Sequence, residues 1–122
     1  MKPAIILVDD DSHVLTLISH MMSAVALDYE LLTAEDGRTA LALLALRPIV
    51  LVITDQHMPD MDGVALTVAI KAVAPLCPVI LMTGNLTPQI RQRAQAAGVD
   101  YFLAKPFPFE QLVSLVRAAL GR

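Results

Sequence analysis

The chain is predicted to fold as a single doubly wound α/β domain, a (βα)5 unit with a five-stranded parallel sheet between two layers of helices. Five short runs rich in Ile, Val and Leu alternate with five longer segments of helical periodicity. The apolar runs are nearly continuous, which is typical of parallel strands covered on both faces. At 122 residues the chain has the length of one domain with a sizeable core. We therefore expect residues 1–122 to form one domain.

Each predicted strand is a mostly apolar run of five or six residues that is followed by a polar or turn-forming residue. Runs of this length are too short for most helices, and their β-branched residues favour an extended backbone. The predicted strands are Ala4–Val8, Tyr29–Ala34, Ile49–Thr54, Val79–Thr83 and Asp100–Ala104.

The segments between these runs have apolar residues at helical spacing. In the first of them, Val14, Leu17, Ile18, Met21 and Met22 form one predicted apolar stripe. The predicted helices are Ser12–Val25, Thr39–Leu46, Gly63–Val73, Pro88–Ala97 and Phe109–Leu120.

The predicted helix ends carry residues suited to them. Asp36 and Thr87 are expected to be N-caps, and Pro88 suits a first helical position because it has no N–H to satisfy there. Gly98 stands where the fourth helix should end.

Composition excludes several classes of function. The net charge is −3 and the nine Lys and Arg residues are scattered, which argues against direct nucleic-acid binding. The apolar fraction of 56% indicates a globular chain, yet the longest apolar run is too short to span a bilayer. We see no signal peptide, and the single cysteine, Cys77, is expected to be a partly buried free thiol. These features predict a cytoplasmic protein without membrane insertion.

Five polar residues stand at the ends of four different predicted strands. The carboxyl ends of parallel strands meet at one edge of the sheet, where open α/β sheets bind ligands. Three carboxylates gathered there repel one another unless a cation lies among them. The sequence therefore predicts a divalent metal site beside a lysine and a hydroxyl that can meet an anion. The five residues are Asp9, Asp10, Asp55, Thr83 and Lys105.

Four short motifs surround these residues in a fixed order. They read VDDD, then D-x-x-M-P-x-M-D-G, then M-T-G, then K-P-F. With these motifs the chain resembles the receiver domains of bacterial two-component response regulators, over essentially its whole length. The resemblance implies a flavodoxin-like fold.

The resemblance also implies a role for each acid. Asp55 would be the phosphoacceptor. The cofactor would be Mg²⁺, with Mn²⁺ as a possible substitute, held by Asp9, Asp10, Asp55 and the backbone carbonyl of His57. Carboxylate and carbonyl oxygens are ligands that Mg²⁺ prefers.

Further implied roles concern the phosphoryl group. Lys105 would pair with Asp55 and then with the phosphoryl group, while Thr83 would bond a phosphoryl oxygen. Gly84 would leave space beside that group, and backbone N–H groups near Gln56 and Gly84 would add donors.

The family also implies a switch. Phe102 would be the aromatic residue that changes rotamer when Thr83 moves, and the Lys105–Pro106 bond is often cis in such domains. His57 and Asn85 are expected to tune the phosphoryl lifetime, with the His57 side chain facing solvent. Leu15, predicted to lie off the apolar stripe, is our candidate for docking the phosphoryl donor.

The predicted function is that of a signalling phosphoacceptor, not an enzyme acting on other substrates. The donor would be a histidine kinase or a histidine phosphotransfer protein, and the target an unknown downstream protein. We expect no output domain in this chain. A homodimer through the fourth helix, fifth strand and fifth helix is possible by family analogy.

Two alternatives are weighed against this reading. A Mg²⁺-dependent phosphatase with an aspartyl-phosphate intermediate usually has a second Asp two residues after the nucleophile, a spacing that Asp9 and Asp11 have. The chain lacks an insert to hold a substrate, which argues against it. A phosphorylation-independent scaffold would not need the full set of acids and lysine.

Overall fold

The structure is a computed structural model that describes residues 1–26 and 28–121. It contains one parallel sheet with the strand order β2-β1-β3-β4-β5, and it confirms the predicted doubly wound (βα)5 fold. The strands are β1 (Ala4–Val8), β2 (Glu30–Ala34), β3 (Ile49–Asp55), β4 (Val79–Thr83) and β5 (Tyr101–Ala104). The helices are α1 (Ser12–Met22), α2 (Gly37–Leu46), α3 (Gly63–Val73), α4 (Pro88–Ala97) and α5 (Phe109–Ala119).

Side chains from alternate positions of the central strands fill a core on each face of the sheet. On one face Ile5 and Leu51 pack with residues of α1 and α5. On the other face Ile6 and Val52 pack with residues of α2 and α3. Every residue of β1 and β4 is buried, as the continuous apolar runs predict for strands covered on both sides.

The predicted caps are confirmed. The Asp36 side chain accepts a hydrogen bond from the Thr39 N–H at 2.7 Å, and the Thr87 hydroxyl accepts one from the Ile90 N–H at 3.1 Å. Gly98 ends α4 in the left-handed conformation with φ of 100°, which suits a residue without a Cβ.

The first helix differs from its prediction in length and in the face that it buries. It ends at Met22, before the predicted end at Val25. Leu15 is 5% exposed and lies in the core, whereas Leu17 is 61% exposed. The buried face therefore runs through Leu15, Ile18 and Met22.

Our placement of Leu15 on an exposed docking surface is therefore wrong. On a helix, residues 15 and 17 lie on either side of the stripe through 14, 18 and 21, and each fits a helical apolar repeat. Packing against the sheet chooses Leu15, because its side chain meets the strands of the core.

Two features of the structure bear on membrane insertion and on the state of the single cysteine. None of the helices in the described ranges is long and apolar enough to cross a bilayer. Cys77 is a buried free thiol, and burial raises the pKa of its sulfur above the ordinary value, so the neutral thiol is favoured.

Candidate functional site

Three carboxylates meet at the carboxyl edge of the sheet, where the strand order reverses between β1 and β3. Asp9 directly follows β1 and Asp55 is the last residue of β3, which pairs with β1 along its length. One carboxylate oxygen from each of Asp9, Asp10 and Asp55 lies within 4.8 Å of the others. Asp9 and Asp55 are only 1% and 6% exposed, while Asp10 is exposed to solvent. The structure thus brings together the three acids that the sequence places at strand ends.

Lys105 directly follows the edge strand β5, and its side chain reaches this cluster. Its Nζ lies 3.0 Å from Asp55 Oδ1 and 3.5 Å from Asp9 Oδ2. Its backbone N–H donates to the Thr83 carbonyl at 2.9 Å, so the residue is fixed to the end of β4. The Lys105–Pro106 peptide bond is cis. One ammonium group therefore faces two buried carboxylates.

The electrostatics of the cluster follow from burial and from these pairs. Burial raises the pKa of Asp9 above the ordinary value and the charge of Asp55 adds to the rise, against the lowering effects of the Asp11 N–H and of Lys105. Burial alone would lower the pKa of Lys105, but hydrogen bonding and charge from Asp55, with Asp9 helping, raise it. The lysine therefore stays charged. The three carboxyl groups outnumber this one ammonium group.

The donor set suits Mg²⁺. All three side chains offer hard oxygen ligands, and their spacing lets one hydrated ion lie among them. A cation at this position would remove the repulsion that Asp9 and Asp55 suffer in a buried site. Receiver domains bind Mg²⁺ in general, and this acidic cluster has the residues for it.

Thr83 ends β4 beside Asp55 of the neighbouring strand. It is buried, and its Oγ1 accepts a hydrogen bond from the Asn85 N–H at 3.1 Å. A hydroxyl that accepts one bond still has its own proton to donate. Gly84 follows in an exposed turn, and a Cβ added there would meet no atom within 4 Å. The residues after β4 thus border open space at the edge of the sheet.

The side chains of His57 and Asn85 are both exposed. The exposure of the His57 side chain agrees with the prediction that it faces solvent.

Phe102 lies on β5 opposite Leu81 of β4 and is half-buried. The Arg91 guanidinium of α4 lies 4.8 Å from the centre of its ring, within the range of a cation–π contact. The aromatic residue implied as a switch is thus held between the sheet and an arginine.

The burial of two residues beside Asp55 was missed by the sequence reasoning. Gln56 follows Asp55 and is only 2% exposed, and Gly63 opens α3 directly against the Asp55 backbone. A Cβ on Gly63 would lie 2.5 Å from the Asp55 carbonyl oxygen and 2.5 Å from Leu81 Cδ1. A glycine that opens a helix is the one sequence signal for such close contact, and nothing in the residue type of Gln56 indicates its burial.

The Gln56 backbone N–H is not a donor to the site. It donates to the Met82 carbonyl at 2.9 Å and so continues the pairing of β3 with β4. The sheet therefore uses this particular N–H. The expectation that backbone N–H groups near Gln56 and Gly84 serve the phosphoryl group stays a prediction.

Asp11 and Asp62 are N-caps of helices. Asp11 accepts from the His13 N–H at 2.9 Å, and Asp62 accepts from the Ala65 N–H at 2.8 Å. Asp11 therefore serves the start of α1, which removes the support that its spacing from Asp9 lent to the phosphatase alternative.

Comparison with known proteins agrees with this geometry. The family model described as "Response regulator receiver domain" matches residues 5–117. The chain is 32% identical over 121 residues to the transcriptional regulatory protein PrrA of Mycobacterium tuberculosis, covering 99% of this chain and 51% of that protein. It is 34% identical over 114 residues to the DNA-binding transcriptional regulator NtrC of Salmonella typhimurium, covering 93% of this chain and 24% of that protein. The chain therefore spans about half or less of these relatives.

Solved structures show the same likeness. The chemotaxis protein CheY4 of Vibrio cholerae superposes with a TM-score of 0.90 at 29% identity, covering 98% of this chain and all of that one (100%). The signal receiver domain of an HD domain-containing protein from Pseudomonas fluorescens Pf-5 superposes with a TM-score of 0.92 at 34% identity, covering 99% and 96% of the two chains. The fold, the acidic cluster and the family match lead to one conclusion: the chain belongs to the response regulator receiver domain family of two-component signalling.

Proposed function

We propose that Asp55 is the phosphoacceptor of this receiver domain and that its donor is a phosphohistidine. The observation that carries the proposal is the contact of Lys105 Nζ with Asp55 Oδ1 at 3.0 Å, beside two further acids. An Asp55 carboxylate oxygen forms a bond to phosphorus as the P–N bond of the phosphohistidine breaks. The imidazole nitrogen leaves with the electron pair, and an acyl phosphate remains on Asp55.

The metal ligands would be Asp9, Asp10, Asp55 and the backbone carbonyl of His57. When bound, Mg²⁺ supplies positive charge that offsets repulsion among the acids and stabilises the charge on the transferred group. The buried position of Asp9 supports this role, because a carboxylate with a raised pKa gains most from a nearby cation.

Lys105 and Thr83 would bind the phosphoryl oxygens. Lys105 already faces Asp55 and needs only to move its ammonium group from the carboxylate to the phosphoryl oxygens. Thr83 has a hydroxyl proton to donate, and Gly84 leaves room beside the group. Thr83 would then shift toward Asp55, and Phe102 would change rotamer in response.

The donor would dock on an apolar groove beside the acceptor. The groove is lined by Leu17, Ile18 and Met21 of α1 together with Lys105, Pro106 and Phe107. Lys105 belongs both to this groove and to the acidic cluster, so a donor seated here lies next to Asp55. The exposed Leu17 takes the docking role that we had expected of Leu15.

The remaining parts of the proposal concern lifetime and partners. His57 and Asn85 would set how readily water attacks the acyl phosphate, and an unchanged autodephosphorylation rate in a double substitution would contradict this.

The chain would be a cytoplasmic receiver whose described part holds no output domain, and it would pass its signal to a downstream protein. A homodimer through α4, β5 and α5 would include the exposed Arg91 and Arg93, which contact Phe102 and Asp62 within the domain.

Phosphotransfer from a set of histidine kinases and phosphotransfer proteins tests the proposal. The wild-type chain should accept label in a Mg²⁺-dependent reaction, and Asp55→Asn should accept none. Asp60→Asn is a matched control, because Asp60 is an exposed acid of the following loop. Equal labelling of the wild type and Asp55→Asn would refute the assignment.

A further inference from the structure

Gln56 is a buried residue, and each of its four polar atoms makes a hydrogen bond. Its side-chain Oε1 accepts from the Val64 N–H at 2.9 Å, and its Nε2 donates to Asp62 Oδ2 at 3.2 Å. Its backbone N–H donates to the Met82 carbonyl at 2.9 Å, and its carbonyl accepts from the Gly63 N–H at 3.0 Å. Burying an amide without hydrogen bonds costs free energy, so these bonds hold the Gln56 side chain in one position.

The residue stands between two groups of the acidic site. Asp55 precedes it in the chain and His57 follows it. One backbone bond fixes Gln56 to β4, and the other three bonds fix it to the start of α3. The direction of the chain after Asp55, and with it the placement of the His57 carbonyl, is therefore set relative to two rigid elements.

The N-cap bond of α3 comes from Asp62 and not from the glutamine. Asp62 Oδ1 already accepts from the Ala65 N–H at 2.8 Å, which is the usual bond of an N-cap aspartate. The bond from Gln56 goes to the other oxygen, Oδ2. The glutamine thus attaches the phosphoacceptor loop to the first turn of α3, where its Oε1 also accepts from the Val64 N–H that Asp62 does not bond.

We propose that Gln56 is a positioning residue for the metal site, whose side chain holds the Asp55 carboxylate and the His57 carbonyl in the arrangement that binds Mg²⁺. The inference rests on the proposed function of that site. Groups that orient metal ligands by hydrogen bonding often change metal affinity by about tenfold or more when removed.

Gln56→Met tests this directly, since methionine has a similar length and makes neither side-chain hydrogen bond. Mg²⁺ titration followed by NMR of backbone amides should give a dissociation constant about tenfold weaker than that of the wild type. Gln89→Met on the exposed face of α4 is the matched control and should leave the constant unchanged. A residue with only a structural role would lower the free energy of unfolding and leave the Mg²⁺ dissociation constant of the folded protein unchanged. That second result would overturn the inference.

A second pair of variants keeps the test valid if Gln56→Met does not fold. Asp62→Asn retains an oxygen to cap α3 but can place an NH₂ group where Gln56 needs an acceptor. Asp60→Asn removes the same charge from the same loop at an exposed position with φ of 68°, a conformation that asparagine adopts readily. Asp62→Asn should weaken Mg²⁺ binding more than Asp60→Asn does. Equal effects would contradict the role of Gln56.

The same titration separates this inference from the proposed function. Mg²⁺ binding by the wild type that is lost in Asp10→Asn supports the metal site itself. If that binding is present and Gln56→Met retains it in full, the positioning role fails and the proposed function stands. If the wild type binds no Mg²⁺ at these acids, both fail.

Discussion

Substitution of Gly63 by alanine is expected to destabilise the fold at the phosphoacceptor. The added Cβ would lie 2.5 Å from the Asp55 carbonyl oxygen, 2.5 Å from Leu81 Cδ1 and 3.1 Å from Gln56 Cα. Two of these three atoms belong to the backbone of a buried strand end, which cannot rotate away. Either α3 or the end of β3 must therefore shift.

The magnitude follows from two opposing effects. Overpacking a close-packed interior costs about 1–3 kcal/mol, and the rigid backbone partners place this case toward the upper end. Alanine in place of glycine within a helix gains at most about 1 kcal/mol. We expect a net loss of about 2 kcal/mol in the free energy of unfolding.

Urea denaturation of Gly63→Ala, beside Gly84→Ala, measures this difference. A Cβ on Gly84 would meet no atom within 4 Å, so that variant should match the wild type or gain up to about 1 kcal/mol. Phosphorylation of Gly63→Ala by a small-molecule donor should also slow, because the shift moves Asp55. A Gly63→Ala variant as stable as Gly84→Ala would refute the reasoning.

Four further predictions concern the acidic site, the switch and the docking groove. Asp9→Asn should raise the free energy of unfolding without metal, because burial raises the pKa of Asp9 and so disfavours its ionised form; a loss of stability in metal-free urea denaturation would contradict this. As the pH falls through the raised pKa of folded Asp9, this group should add stability, since the folded state then binds more protons than the unfolded state. Mg²⁺ binding should weaken over the same pH range, and calorimetric titrations at several pH values that show no such weakening would count against the assignment. Arg91→Ala should increase affinity for a phosphoryl mimic such as beryllofluoride by about two- to fivefold, because the cation–π contact with Phe102 no longer stabilises the unphosphorylated arrangement. An unchanged dissociation constant for beryllofluoride would exclude a role of Arg91 in the switch. Leu17→Asp should slow transfer from a phosphorylated donor protein and leave phosphorylation by acetyl phosphate unchanged, and equal rates with the donor protein would exclude the groove.

Local sequence signals predicted most of the fold because each acts over a few residues. The bounds of β1, β4, α3 and α4 agree with the predictions residue for residue. Apolar runs and cap residues are read along the chain, and no distant contact alters them here. The sheet edge then follows from topology, which is why Asp9, Asp55 and Lys105 could be expected to meet.

The misplaced residues depend on contacts that no local pattern contains. Leu15 and Leu17 are both leucines on one helix, and only packing against the sheet decides which is buried. Gln56 is polar and was not expected to be buried, yet it bonds two residues at the start of α3. The buried face of α1 and the hydrogen bonds that hold the loop after β3 could therefore be learned only from the structure.

Mass spectrometry after reaction with acetyl phosphate and Mg²⁺ tests the central claim most directly. The account predicts that the intact chain gains the mass of one phosphoryl group and that the modification maps to Asp55. Asp55→Asn, or chelation of Mg²⁺, should abolish the gain. A phosphoryl group found on another residue, or retained in full by Asp55→Asn, would contradict the account.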